Sequence, residues 1–459
     1  LVNLKTYQDY LQVAGGSLQQ VTDFLQSVVR EHQRAPQYKT ALDAEDYYRH
    51  KNPTILRLQK FIYNRFGTAV PDRWAANNKI ANRYYFYFIT QLVSYILGNG
   101  VIFNEQSNKP KLGKSFDQRL QDMAVNAQNA GMSFGFWNLD HLDVFKFTEF
   151  APLWDEETGE LKAGVRFWQI DPQKPLRLTF FDVDGYTEYI KRQGSDMEVL
   201  KEKSAYRTII IGDQRDREEG TEIREGQNYG TLPIVPLYNI NRQSELVGCQ
   251  GTLDAYDLIA SQLVNAIDDG NFIYWILKNC DGMSLEDDEE FIEQLKMTRV
   301  AHANGGDDAS IEAHSVVADV DPNETALNRL RQQLYDDFMA LDVKQIQAGN
   351  VTATQINAAY DPLDKKADLF ERNLYDFMDE ILRLAGIEDE VSFKRSKIAN
   401  EEEYTQMVLS AGAYLDEETV LKKLPWVSVD EVDGIVQKKD AEEADRFIDA
   451  GPEGVGVDG

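Results

Sequence analysis

Cysteine is scarce in this 459-residue chain: Cys249 and Cys280 are the only two, and they form no CxxC pair. That excludes a disulfide framework and a cysteine-rich zinc site, and it fits a reducing compartment. Histidine is nearly as scarce. His32, His50, His141, His302 and His314 show neither HExxH nor paired spacing. A metal site needs clustered ligands, so all five are expected at the surface or in loops, and no metal or other cofactor is expected. Basic charge is the third shortage: 48 Lys and Arg face 77 Asp and Glu, for a net charge of −29. A sequence-independent grip on DNA uses a basic face. The overall charge supplies none, but such a chain could surround a polyanion without adhering to it.

Targeting and membrane signals are also missing. The stretch "LVNLKTYQDY" has no basic start and no apolar run, so a secretory signal is not expected. Tyr84 to Phe103 carries no formal charge and approaches a spanning length. It contains Thr90, Gln91, Ser94, Gly98, Asn99 and Gly100, and it is aromatic rather than leucine-rich. It reads as a buried helix stopped at Gly98, not a membrane span.

Catalytic signatures fail one by one. "LGKS", Leu112 to Ser115, falls short of a P-loop: the first glycine would be Asn108, and Pro110 would remove an amide from the cradle. GxSxG is absent. The "DVDG" at Asp182 lacks the Glu of a calcium loop, because position 12 is Gln193. It reads as a hairpin turn. The acidic run Glu286, Asp287, Asp288, Glu289, Glu290 reads as a solvated face or a docking patch for a basic partner. Nothing points to an enzyme.

What is present is an α+β pattern. Hydrophobic residues make up 42% of the chain, enough for real cores, and the length suggests two to four domains. Residues 17–34 place Leu18, Val21, Phe24, Leu25, Val28 and Val29 on one helical face behind the N-cap candidate Ser17. Further helices are expected at about 75–97 and 115–131. Short β-branched and aromatic runs such as "VRFWQI", "LRLTFF" and "YRTIII" predict strands from about 134 to 240. From 251 an apolar stripe (Leu253, Tyr256, Ile259, Leu263, Ile267) opposes a polar one (Asp254, Asp257, Ser261, Asn265, Asp268). Asp321 as N-cap, Pro322 and Glu324 then open a helix with stripe Leu327, Leu330, Leu334, Phe338 and Leu341, ending near Val343.

"GNVTATQINAAYDP", Gly349 to Pro362, follows. Thr352 and Gln355 have capping-box spacing, and no Lys stands at P-loop distance. The helix behind it has stripe Leu363, Ala367, Phe370, Leu374, Phe377, Ile381 and Leu384, carries Pro362 inside and ends at Gly386. Pro362 removes one backbone hydrogen bond and should bend it. The tail reads as a small helical unit with an irregular end.

Taken in order, these pieces resemble the portal proteins of tailed bacteriophages, in the group typical of long-tailed phages of Gram-positive hosts. The resemblance rests on Asn77 to Phe103, on "AGVRFWQI" and "TEYI", and most strongly on Leu232 to Asn279. "GNVTATQI" with its following helix and "LDEETVLKKLPWV" complete it. Thr352-Ala353 stands where many relatives have Ser-Gly. The resemblance implies a portal fold with a mixed α/β wing, a two-helix stem, a small α/β clip, a long kinked helix and a helical crown. It implies a ring of twelve subunits at one capsid vertex, with an axial channel for packaging and ejecting double-stranded DNA. Residues 1–250 would be the wing, 251–274 and 321–343 the stem helices, and 275–320 the clip, with Glu286–Glu290 as its docking surface. Residues 344–354 would be the tunnel loop, 355–386 the helix kinked at Pro362, and 387–459 the crown and tail. Lys344, Gln345, Gln347, Gly349, Asn350 and Thr352 would face DNA. Terminase, a head-completion adaptor, and major capsid and scaffolding proteins would be partners. The site of action would be the virion, and host cytoplasm during assembly. Another head or connector component, or a nucleic-acid-processing packaging enzyme, are the alternatives.

Overall fold

The computed structural model describes residues 5–63, 66–72, 75–213, 222–270, 273–278, 310–315, 320–346 and 353–397, with short pieces at 408–410, 412, 416–424, 427, 432 and 434–439. Two compact units divide the chain: Leu1–Ala340 with Leu363–Arg395, and Leu341–Pro362 with Ser396–Gly459.

The first unit opens with helices α1 (Tyr7–Val13), α2 (Leu18–Arg34), α3 (Pro36–Tyr48) and the single turn α4 (Pro53–Leu56), then a ribbon of β1 (Phe61–Tyr63) and β2 (Ala69–Pro71). Helix α5 (Tyr84–Leu97), strand β3 (Val101–Phe103) and helix α6 (Phe116–Ala130) follow. A run of strands comes next: β4 (Met132–Asn138), β5 (His141–Lys146), β6 (Phe150–Trp154), β7 (Leu161–Trp168), β8 (Leu176–Asp182), β9 (Gly185–Lys191), β10 (Met197–Ser204), β11 (Arg207–Asp213), β12 (Glu222–Gln227) and β13 (Ile234–Tyr238). Helix α7 (Gln250–Gly270) leads to β14 (Ile273–Lys278); β15 (Ser310–Ser315) returns to α8 (Val320–Asp337). Beyond come α9 (Val343–Ile346), the long α10 (Ala353–Ala385), β16 (Val391–Phe393) and α11 (Glu417–Lys423). Strand pairing among the described residues is antiparallel: β10-β9-β8-β7-β6, β13-β4-β5, and the two-stranded pairs β1-β2, β11-β12, β14-β15 and β16-β3. Helical clusters beside antiparallel sheets make this an α+β protein.

Among the described residues, three hydrophobic clusters organise the first unit. In one, α2 lies on the five-stranded sheet, with Phe24, Leu25, Val28 and Val29 against Leu153, Val165, Leu178 and Phe180. The capping box that starts α2 is real: Ser17 accepts the Gln20 amide and Gln20 accepts the Ser17 amide. Leu18, expected on the buried face, is exposed. His32 reverses its surface expectation. It is buried among Tyr38, Phe147 and Phe167, and its Nε2 lies 2.8 Å from the Phe147 carbonyl. A single histidine with one carbonyl partner is cheaper to bury neutral than charged.

Burial lowers the His32 pKa to about 4, against a smaller upward pull from the Phe147 bond. The unfolded chain, near the ordinary 6.5, therefore binds a proton before the folded one. The neutral-His stabilisation is complete above about pH 6.5 and is lost as pH falls toward 4. Urea midpoints measured across that window should fall with acid. The loss attributable to this residue should approach about 3 kcal/mol, and His32→Gln should flatten that part of the profile.

The second core is aromatic, with Phe134, Phe145, Phe150 and Phe181 between the two larger sheets. The "DVDG" stretch is the expected hairpin turn. Asp182 pairs with Gly185 across a two-residue loop, and the Asp182 carboxylate is held by Lys203 at 2.8 Å. Gly185 has φ +133°, and a Cβ there would stand 2.3 Å from the Ser204 carbonyl, so glycine is required.

The third core joins α3, α5 and α8 through Tyr47, Phe88, Ile89, Leu334 and Phe338. Helix α10 buries all seven residues of its expected stripe, Leu363 to Leu384. It lies against β4, where Gly135 leaves room: a Cβ there would meet the Phe377 ring at 2.8 Å. Gly386, at φ +69°, closes the helix. Within the second unit, Leu341 and Tyr360 are buried, Lys397 Nζ lies 5.7 Å from the Tyr360 ring centre, and Asp416 caps α11.

Candidate functional site

Helices α7 and α8 pack together, and their far ends continue into β14 and β15, paired from Ile273↔Ser315 to Lys278↔Ser310. Residues 279–309 connect those strands. The unit is thus a helical hairpin tied by a two-stranded ribbon.

Its anchoring inverts the sequence expectation. On α7 the deeply buried positions are Leu253, Asp257, Ser261 and Asn265, while Ile259 and Leu263 are half-buried and Ile267 is exposed. Beyond Leu253, the inward positions are the polar Asp257, Ser261 and Asn265 and not the apolar Ile259, Leu263 and Ile267. The partner of these polar residues is the segment expected to begin a helix at about 75. The helix begins only at Tyr84, because the preceding residues serve α7. The amides of Asn78, Ile80 and Asn82 donate to Asn265 Oδ1 (2.7 Å), Ser261 Oγ (3.0 Å) and Asp257 Oδ1 (2.9 Å). Two residues of extended chain cover roughly 6.6 Å, and four residues of helix about 6 Å. Alternate amides therefore keep step with side chains spaced four apart.

The asparagines complete the seam. Asn82 Nδ2 bonds Asp257 at 2.5 Å, while Asn82 Oδ1 accepts the Tyr84 amide and starts α5. Asn78 Nδ2 reaches Asp268, and Asn52 bridges Asp254 and Asp257. Tyr47 Oη also donates to Asp254. Burial raises the Asp257 pKa, opposed by the hydrogen bonds from Asn52 and Asn82.

Helix α8 begins at Val320, so Asp321 stands in its first turn instead of capping it, and Thr325 Oγ1 bonds the Asp321 carbonyl. It ends at Asp337, short of Val343, where Met339 takes φ +51°. That end is fixed by Lys366 of α10. Lys366 Nζ bonds Glu245 Oε2 at 2.5 Å and the Phe338 carbonyl at 3.0 Å, with both side chains largely buried. Glu245 Oε1 also accepts Asn239 Nδ2. Arg395, just past β16, gathers Asp364, Asp368 and Glu371 from one face of α10. The acids stand at helical spacing, and Tyr95 also bonds Asp364.

Of the residues expected to face DNA, Lys344 and Gln345 lie in α9. Lys344 is exposed and its amide bonds Asp342. Gln347, Gly349, Asn350 and Thr352 lie outside the described residues, as do Glu286, Asp287, Asp288, Glu289 and Glu290. Pro362 sits within α10, which the described backbone carries through as one helix. The "LGKS" stretch follows a 3-10 turn containing Asn108 and Pro110, with Gly113 at φ +87°. Among the described residues no group of three or more His, Cys, Asp or Glu could hold a metal ion. No described helix is long and apolar enough to cross a membrane. Sequence reasoning missed the Asn52–Asn78–Asn82 seam and the Lys366–Glu245 pair. The only available signal was the run "NNKIAN".

Comparison of the sequence with known proteins matches the chain to a family. The family model described as "Phage portal protein, SPP1 Gp6-like" covers residues 29–447. A portal protein of Clostridium phage phiCD119 is 22% identical over 442 residues, 89% of this chain and 94% of that protein. The portal protein of Bacillus phage SPP1 is 24% identical over 440 residues, 88% of this chain and 84% of that protein. The chain therefore belongs to the SPP1 Gp6-like family of phage portal proteins.

Proposed function

We propose that this chain is the subunit of a twelve-membered ring at one capsid vertex, and that double-stranded DNA enters and leaves the head through its axial channel. The observation that carries this reading is the helical hairpin α7–α8, anchored on its polar side and left with Ile259, Leu263 and Ile267 incompletely covered. A helix normally hides such a stripe, and a neighbouring subunit would cover it through a heterologous contact that closes by rotation. Helices α7 and α8 serve as the stem in this reading. Residues 275–320 form the clip, where Glu286–Glu290 would meet terminase and later the head-completion adaptor. Residues 1–250 form the wing, and 387–459 the crown.

Residues 344–354 form the tunnel loop, with Lys344, Gln345, Gln347, Gly349, Asn350 and Thr352 near passing DNA and Pro362 marking the bend behind them. The net charge of −29, repeated around a ring, disfavours adhesion of DNA to the walls. The ring sits among major capsid and scaffolding proteins and acts as a conduit, not an enzyme. Negative-stain images of purified protein should show rings with a central hole. Monomers alone at high concentration, with and without scaffolding protein, would overturn the reading. Gln347→Ala with Asn350→Ala should leave assembly intact and reduce packaging or DNA retention. Unchanged packaging would remove the tunnel-loop assignment.

A further inference from the structure

One segment of this acidic chain is basic. Residues 51–83 hold seven Lys and Arg against a single acid, Asp72. The same segment carries the ribbon β1–β2. Its strands pair over three positions, Phe61↔Pro71, Ile62↔Val70 and Tyr63↔Ala69. Successive side chains on a strand point to opposite faces, and Phe61, Ile62 and Tyr63 are all exposed. Among the described residues, β1 is exposed on both faces, and of β2 only Val70 is half-buried. Tyr63 and Phe66 are each 78% exposed, and Leu56 and Leu58 beside the ribbon are exposed as well. A two-stranded ribbon so little covered is marginal in water, and an apolar concentration of this kind marks an interaction surface.

The ribbon's root is nonetheless well fixed. Asn52 caps α4 and bonds Asp254 and Asp257 of α7, and Lys79 Nζ holds the Leu56 carbonyl at 2.6 Å. A fixed base carrying the exposed Phe61, Ile62 and Tyr63, with exposed Arg57 beside them in a basic stretch of sequence, has the character of a docking element.

Charge and chemistry select the occupant. Basic side chains call for an acidic surface, and the rest of this chain carries almost all of its 77 acidic residues. Nucleic acid would satisfy the cations and stack on aromatic rings, but it offers nothing to the aliphatic Leu56, Leu58, Ile62 and Val70. A protein surface covers both. We propose that the ribbon of one copy docks onto the acidic surface of the next copy, as a peripheral contact additional to the stem helices. This rests on the ring reading given above. Such a contact is heterologous, joining unlike patches, as a closed ring requires.

The test compares wild type with two full-length variants, Tyr63→Ser/Phe61→Ser and Arg57→Glu, by native mass spectrometry and sedimentation over a concentration series. All three positions are exposed, so thermal unfolding should be unchanged. Each variant should need at least about tenfold more protein to assemble, the loss expected for a truncated aromatic or charged anchor. Arg57→Glu should also blunt the salt dependence of assembly. Variants that assemble at the wild-type concentration overturn the ribbon proposal and leave the ring standing. A wild type that stays monomeric throughout overturns both. Binding of a short DNA duplex is measured in parallel. Variants that assemble normally but lose the duplex assign the ribbon to nucleic acid and overturn the proposal.

Discussion

Lys366→Met should destabilise the first unit by about 3–5 kcal/mol, the cost of removing one member of a buried ion pair. Methionine fills similar space, so the loss is electrostatic rather than a cavity. Glu245 would keep only its Asn239 contact, and the Phe338 carbonyl would lose its donor. The cost lies in the stranded carboxylate, so Lys366→Met/Glu245→Gln should recover at least half of it. The two changes should be strongly non-additive in a double-mutant cycle. Urea unfolding gives the energies. Hydrogen exchange should show the excess opening at the end of α8 and in the facing turns of α10, because Lys366 is what joins Phe338 to that helix. Additive losses would mean that the pair acts only through packing.

Asp257→Ala comes next in size. It strips partners from the Asn82 amide, from Asn82 Nδ2 and from one contact of Asn52, all at a buried carboxylate. Unsatisfied buried donors cost about 1–3 kcal/mol each, and local adjustment recovers part of this. A net loss of about 3 kcal/mol is therefore expected. Ser261→Ala orphans only the Ile80 amide and should cost about 1 kcal/mol. Asp257→Asn should not rescue the site fully, because its amide group would point donor at donor. Equal losses for Asp257→Ala and Ser261→Ala would contradict the seam as the anchor of α7. The raised pKa of Asp257 does not reverse the expectation. A protonated carboxyl still accepts hydrogen bonds, whereas alanine accepts none.

Local signals were legible wherever a segment's partner was its own neighbourhood or a generic apolar surface. The α10 stripe was readable at every one of its seven positions because periodic burial needs only something greasy opposite. The Asp182–Gly185 turn was readable because a two-residue hairpin has few backbone solutions. The Ser17 cap was readable because its acceptor and donor lie three residues apart. The candidate site was legible only as an order of segments, through the family likeness. Its proposed DNA-facing residues beyond Ile346 and its clip acids fall outside the described structure.

By itself, then, the sequence determined the alternation of helices and strands, the long amphipathic helix, the tight turns and the family. It could not determine which face of α7 turns inward. A stripe of Asp257, Ser261 and Asn265 looks solvent-facing until Asn78, Ile80 and Asn82, nearly two hundred residues earlier, bring unpaired amides to it. The same holds for His32 and for Lys366 with Glu245. Burial of a polar group is decided by whether a distant donor or acceptor arrives to replace water, and only the tertiary structure brings that partner into place.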